Sequence, residues 1–332
     1  MKHLLALIAL IAVLRPVQQP AGEPQTDRPA PTERGLVGVL RRDGLILPFA
    51  AFRGTTWSTP WPMDLQSLEL PVNVAAVPER WWGGVVHHGG ALPKWTAWLT
   101  DGRSGPIAVS GVQPLRVHCD TRIALRSGHQ TTEPLPLVPV SPYPKDGLAV
   151  TGGVAVERVE IVPATDPAAA RLIAIVTREL DRAEDREISA AASTGWRHPV
   201  SRRKREELPV KLESWYRKGL PSGLQVSYIE AVRSYPAQPE DNGCGLETLF
   251  SGWVLQPAGG AEPRVRVGAR MTYCDRVGAM YMLPLGTVQM HGRTFWISQS
   301  SGHGAEWYAV TELDRDRPRV VAEYFGGGGR GC

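Results

Sequence analysis

Alternation of apolar and polar residues gives the clearest structural signal in this chain. From Leu115 to Arg126 apolar residues recur at every second position, and charged or titratable residues fill most positions between them. Because side chains alternate between the two faces of a strand, this pattern predicts one strand with a buried face and a wet face. Short runs of the same kind recur from residue 221 to residue 325, with a spacing typical of a meander, sandwich or barrel.

A hairpin is predicted near the start of the folded body. The apolar runs Gly35 to Arg41 and Leu45 to Phe52 are joined by Arg-Asp-Gly, and glycine tolerates the positive φ of a tight turn. Pro48 has no N–H for a sheet ladder, so we expect the second run to be an edge strand. Five prolines between residues 57 and 98 favour loops and short strands there.

One helix is well marked. Asp166 is a capping residue, and Pro167 suits the first helical position because a proline there loses no hydrogen bond. Apolar residues at 172, 173, 176, 180 and 183 form one stripe, and we expect the helix to end near residues 189–193. A second helical segment is predicted over residues 201–218, interrupted at Pro209. The fold class is therefore mainly β, with one or two connecting α-helices.

The N-terminus predicts export. Lys2 and His3 precede an eleven-residue apolar run, Leu4 to Leu14, which is shorter than the roughly 17 to 25 residues of a membrane-spanning helix. We interpret residues 1–21 as a signal peptide, with an uncleaved anchor or an internal helix as alternatives. The mature protein is then periplasmic or secreted, or membrane-tethered if the signal stays. No later apolar run approaches spanning length.

Length and composition predict a folded body of two β domains. The chain has 332 residues, 42% apolar and 21% charged, which is ordinary for soluble proteins. We divide it into a proline-rich spacer, an N-terminal β-rich domain, a helical connector, a C-terminal antiparallel β domain and a glycine-rich tail. These segments are residues 22–34, 35–165, 166–220, 221–325 and 326–332.

Four cysteines are consistent with an oxidising compartment, and they allow three pairings. We favour a disulfide between Cys244 and Cys274, because Cys244 lies in a turn-like segment and Cys274 follows an alternating run on its non-core side. Cys119 falls on the apolar side of its strand, where a small buried thiol is at least as good an interpretation.

Tryptophan is unusually frequent, with eleven residues against five phenylalanines. A flat indole face stacks on a sugar ring, so Trp81, Trp82, Trp95 and Trp98 are candidate ligand-binding residues. Two alternatives are core packing in a loop-rich β domain and an exposed patch for a protein partner.

No catalytic signature is present. Ser300, Ser301, His303 and Glu306 lie close in sequence, but no nucleophile elbow frames them. The adjacent pair His87 and His88 would point to opposite strand faces, so we predict no metal site and no cofactor.

The sequence favours a non-catalytic binding or scaffolding protein of the cell envelope or exterior. A carbohydrate or envelope polymer is the ligand class that the tryptophans suggest. The net charge of +4 is mild, so we predict no nucleic-acid partner. The alternative is an exported hydrolase with dispersed residues, for which the first candidates are His118, Asp120, His303 and Glu306.

Overall fold

The computed structural model describes residues 34–60, 94–117, 120–137, 143–237, 243–314 and 317–328. These residues form three antiparallel sheets, two α-helices and one 3₁₀ turn, which confirms the predicted mainly β fold. The predicted signal peptide, residues 1–21, lies outside the described residues, and so does nearly all of the predicted spacer, residues 22–34. No helix in the described part is both long and apolar enough to cross a membrane.

Sheet I contains the first eight strands in the order β5-β4-β8-β1-β2-β7-β6, with β3 beside β2. The strands are β1 (Arg34–Arg41), β2 (Leu45–Arg53), β3 (Thr56–Ser58), β4 (Trp95–Leu99), β5 (Ser104–Ile107), β6 (Val109–Val117), β7 (Asp120–Ser127) and β8 (Lys145–Val150).

Sheets II and III contain the remaining strands. Sheet II has the order β10-β11-β12-β13-β14, and sheet III has the order β18-β17-β16-β15-β9. The elements are β9 (Val156–Glu157), β10 (Glu160–Ile161), α1 (Pro167–Ala192), α2 (Arg202–Glu206), β11 (Lys211–Gly219), β12 (Gln225–Ser234), β13 (Leu246–Gln256), β14 (Arg264–Tyr273), β15 (Met280–Met290), β16 (Arg293–Gly302), β17 (Ala305–Leu313) and β18 (Pro318–Gly328). The 3₁₀ turn is Ala258–Gly260.

Sheet III lies between sheets I and II. Successive residues of β16 show this, because Phe295 and Ile297 pack in an apolar cluster with sheet I, whereas Trp296 packs in a cluster with sheet II. The outer face of sheet II is covered by α1, which buries Leu172, Val176 and Leu180 against it. The described layers therefore stack in the order sheet I, sheet III, sheet II and α1, and residues 294–299 of β16 are buried on both faces of sheet III.

Helix α1 begins where the sequence predicts. The Asp166 side chain accepts a hydrogen bond from the backbone N–H of Ala168 at 2.8 Å, and Pro167 is the first helical residue. The helix ends at Ala192, within the predicted region.

The predicted strand from Leu115 to Arg126 is wrong in two respects. It is a hairpin of β6 and β7, in which Leu115 pairs with Arg122. Paired residues share a face, so Leu115 packs between sheets I and III while Ile123 packs on the opposite face of sheet I. Arg122, predicted to be wet, is 4% exposed. Period-two alternation runs on from the sequence of β6 into that of β7, so it did not reveal that the two strands pair.

Two further expectations are corrected. Residues 211–218 form strand β11 rather than helix, because the helix stops before Pro209 and the following residues pair with β12. Pro48 lies in an interior strand, since β2 pairs with β1 and β7. A register shift opposite Pro48 accommodates the proline, and such bulges are where interior strands tolerate it.

The predicted division into two β domains stays a prediction. The cluster between sheets I and III includes Phe49 and Val150 from one segment and Phe295 and Tyr308 from the other.

Candidate functional site

A cavity of about 200 Å³ lies between sheet II and the first residues of β15. Its polar lining residues are Glu213, Glu230, Ser251, Arg270 and Tyr281, and its apolar ones include Leu249 and Met280. We call it the Glu230 cleft. A concave site with a few convergent polar groups on an apolar surface is the usual form of a small-ligand site.

Strand alternation places Glu230 in the cleft. Val226, Tyr228 and Glu230 follow one another on the face of β12 that looks toward sheet III, so a carboxyl group interrupts an apolar row. Glu230 is 3% exposed. Its carboxyl accepts the backbone N–H of Met282 in β15 at 2.5 Å, which ties the carboxyl to both sheets.

The protonation of Glu230 is perturbed by its surroundings. Burial raises the pKa of this carboxyl, and the nearby Glu213 adds to the rise, whereas hydrogen bonds from Met282 and Ser214 oppose it. Burial, with a smaller contribution from Glu230, also raises the pKa of Tyr228 to about 12. Among the described residues Glu230 has no ion-pair partner. The carboxyl therefore retains a proton more readily than an exposed glutamate and is able to donate as well as accept.

Glu213 is held in a different environment. It lies at a register shift between β11 and β12, and bulges of this kind redirect a side chain. Both of its oxygens accept from the Arg276 guanidinium, at 2.9 and 3.0 Å. Arg276 also donates to Glu247 at 2.7 Å and to the Tyr281 hydroxyl at 3.0 Å. The carboxylates of Glu213 and Glu247 raise the pKa of Arg276, so the guanidinium stays charged.

The backbone at Arg276 is unusual. Its φ of 54° is in the left-handed region, which non-glycine residues seldom adopt outside turns and functional sites. The disulfide lies two residues earlier, where Cys274 is joined to Cys244 with a Cα–Cα distance of 5.2 Å. This is the predicted pairing. It anchors the β14–β15 connection, which carries Arg276, to the segment preceding β13.

Gly268 leaves one side of the cleft open. It pairs with Ser251 across β13 and β14, and a Cβ added there would have no neighbour closer than 4.0 Å. The position is therefore a natural place to fill the cavity without disturbing the strand.

A second cavity of about 400 Å³ lies beside the β4–β5 hairpin. Gly105 and His129 line it, and His129 Nε2 lies 2.7 Å from the Asp146 carboxylate. Most of its lining residues, including Leu99, Arg103 and Ile107, belong to the hairpin. It contains no buried acid with a raised pKa, so we favour the Glu230 cleft.

The predicted tryptophans do not form one surface in the described part of the chain. Trp95 is 2% exposed and packs on the outer apolar cluster of sheet I, whereas Trp98 is half-buried against the cluster shared with sheet III. Trp81 and Trp82 lie outside the described residues. The ligand-binding role of the four tryptophans stays a prediction.

The hydrolase candidates are also dispersed. His303 is exposed in the β16–β17 turn, but Glu306 is buried and bonded to Lys145 and Tyr308. His118 and Cys119 lie outside the described residues, as does the side chain of Asp120. No group of three or more histidine, cysteine or acidic side chains in the described ranges is arranged to hold a metal ion.

Sequence reasoning missed the Glu230 cleft, although one signal was present. Residues 224–233 are one of the short alternating runs after residue 221, and Glu230 takes an apolar position of that run between Tyr228 and Val232. A carboxyl group at a core position of a strand is unusual enough to mark a candidate site. The contributions of Arg276 and Tyr281 depend on strand pairing and had no such signal.

No family model, curated protein or solved structure matches this chain.

Proposed function

We propose that this protein is exported and binds, without turning it over, a hydroxyl-rich ligand such as a sugar unit of an envelope or extracellular polymer. The observation that carries the proposal is the Glu230 cleft, where a buried carboxyl group meets hydroxyl and guanidinium groups beside apolar side chains. A sugar presents alternating hydroxyl and C–H surfaces that suit this mixture.

The size of the cleft supports a small polar group. The cavity of about 200 Å³ is smaller than the roughly 300–1,000 Å³ of sites for drug-sized ligands, so it suits one compact ligand group. The fixed Arg276, held by Glu213 and Glu247, keeps the lining in place before binding, which lowers the entropy cost of recognition.

Three glycine variants test the location of the site in a glycan and envelope-polymer binding screen. Gly268→Val fills the Glu230 cleft, and we expect the affinity for the bound polymer to fall at least tenfold. Gly105→Val fills the second cavity, and Gly219→Val adds the same group at a β11 position with nothing within 4 Å. Both should bind as the unaltered protein does. Loss of binding in Gly105→Val with retention in Gly268→Val would reject the Glu230 cleft.

Export is supported by the Cys244–Cys274 disulfide, since such bonds persist mainly in oxidising compartments. The test is a fusion of residues 1–34 to a reporter that is active only outside the cytoplasm. We expect activity, and its loss when an arginine replaces an apolar residue of the run 4–14. A reporter that stays inside the cell would overturn the compartment while leaving the cleft to be judged by the glycine variants.

The hydrolase alternative is favoured by one observation, the pair of carboxyl groups in unlike environments within one cleft. Glu230, whose pKa is raised, and the ion-paired Glu213 resemble the division between general acid and charged partner in enzymes that use two carboxyl groups. The test is turnover of generic glycoside, ester and peptide substrates. Turnover that falls about 10²-fold or more in Glu230→Gln would establish the enzyme and reject the non-catalytic proposal.

A further inference from the structure

A buried amine, carboxamide and carboxyl group meet between sheets I and III. Lys145 is at the start of β8, Gln299 is in β16, and Glu306 is in β17. The side chains of Lys145 and Glu306 are each 1% exposed, and Gln299 is 2% exposed. Three polar side chains from three strands thus share a site that water does not reach.

Glu306 lies between the other two groups. Its Oε2 atom is 3.1 Å from Lys145 Nζ and 3.5 Å from Gln299 Nε2. Its Oε1 atom accepts from the Tyr308 hydroxyl at 2.5 Å, which fixes the plane of the carboxyl. One carboxyl oxygen within reach of both nitrogens is placed to take a proton from the amine and deliver one to the amide nitrogen.

The surroundings favour a reactive amine. Burial lowers the pKa of Lys145, the charge of Glu306 opposes the shift and that of Arg41 adds to it, and together they bring the pKa to about 8. A larger share of the amine is therefore neutral, and hence nucleophilic, than in an exposed lysine. The Lys145 ammonium also donates to the Tyr143 carbonyl, which holds Nζ in the site.

The carboxamide is only partly satisfied. Gln299 Nε2 donates to Ser301 Oγ at 2.7 Å, whereas no described group lies within hydrogen-bond distance of Gln299 Oε1. The two orientations of an amide are assigned from such contacts. In the orientation described, Nε2 faces Glu306 Oε2, which is the arrangement that proton delivery to the departing nitrogen requires.

We propose that Lys145 and Gln299 condense to an intramolecular isopeptide bond, with Glu306 as the catalytic acid and base. The neutral Lys145 Nζ attacks Gln299 Cδ, and Glu306 takes a proton from Nζ and transfers it to the departing amide nitrogen. The Nζ–Cδ bond forms, the Cδ–Nε2 bond breaks, and ammonia leaves. No oxidant, reductant or cofactor is required. The product is a covalent tie between β8 of sheet I and β16 of sheet III.

Mass spectrometry of the purified full chain tests the proposal. After reduction of disulfides and correction for any removed N-terminal segment, we expect a mass deficit of one ammonia molecule. Trypsin should release peptide 127–158 joined to peptide 294–315. This peptide map separates the cross-link from cyclisation of an N-terminal glutamine, which also releases ammonia.

Glu306→Gln keeps both reacting groups and should lose the mass deficit and the joined peptide. Lys218→Met is the control, since Lys218 pairs with Glu157 near the surface, and it should keep both. An unaltered chain with full mass and separate peptides overturns the proposal even if the variants do not fold. A deficit of one water with Lys145 joined to Glu306 rejects Gln299 as the acceptor, and a joined peptide in Glu306→Gln rejects the role of Glu306.

Discussion

The buried charges where α1 and α2 meet sheet II form one compensated group. Arg233, 1% exposed, donates to Glu184 and Asp181 at 2.7 Å, and Arg205 donates to Glu184 at 3.2 Å and Asp185 at 2.7 Å. Burial alone would raise the pKa of Glu184, but hydrogen bonds from Tyr235 and Thr248 and the charge of Arg233 hold the pKa below its ordinary value. This network fastens α1 and α2 to sheet II.

Glu184→Gln should therefore destabilise the fold strongly. Two guanidinium groups lose a charged partner in a place where water does not replace it, and we expect a loss of about 3 kcal/mol in the free energy of unfolding. The matched control is Glu179→Gln on the same helix, whose exposed pairs with Arg178 and Arg182 should contribute less than about 1 kcal/mol. Urea unfolding measures both variants, and equal losses would contradict the argument.

Glu312 makes the free energy of unfolding depend on pH in the acidic range. Hydrogen bonds from Arg293 and then Arg319 lower its pKa from 4.5 to about 2. The unfolded chain binds this proton near pH 4.5 and the folded protein only near pH 2, so stability is full above that window and falls as the pH drops through it. Glu312→Gln should show a smaller loss of unfolding free energy between pH 6 and pH 3. Glu323→Gln, at an exposed β18 position, should keep the unaltered profile.

At the scale of elements, the sequence predicts features that depend on the residue types within short segments of the chain. The Asp166 cap, the first hairpin and the Cys244–Cys274 pairing were all predicted. The pairing between strands that are distant in sequence was not predicted, because an alternating pattern predicts a strand without identifying the strand that pairs with it. The faces of Leu115 and Ile123 and the cleft around Glu230 depend on that pairing. Buried arginines such as Arg205 were missed because their carboxylate partners lie on another element.

The β13–β14 pair tests how closely two strands approach. A Cβ at Gly252 would lie 2.2 Å from the Arg266 carbonyl oxygen, whereas one at Gly268 in the partner strand meets nothing closer than 4.0 Å. Gly252→Ala should lower the unfolding free energy by about 1–3 kcal/mol, as overpacking does. Gly268→Ala should be neutral or stabilising, because alanine restricts the unfolded chain. Thermal unfolding measures the stability of both variants. An unchanged stability in Gly252→Ala would mean that β13 and β14 are further apart than described here.

At the scale of the whole molecule, the burial of β16 on both of its faces joins the layers. Phe295 is fully buried, and its ring lies 5.9 Å from Phe52 and 5.3 Å from Trp57 of sheet I, while the next residue, Trp296, contacts Trp253 of sheet II at 5.2 Å. A change at one residue of β16 therefore acts on side chains from both predicted β domains.

Phe295→Ala should lower the unfolding free energy by about 3–5 kcal/mol, since it leaves a cavity at the junction of sheets I and III. Val320→Ala, at an exposed position of the same sheet, should change it by less than about 0.5 kcal/mol. Hydrogen exchange then shows how far the effect spreads. If residues 35–325 unfold as one unit, the amides of β2 lose protection together with those of β16. Unchanged protection of β2 would instead mean that residues 35–165 are an independent domain, as the sequence predicts.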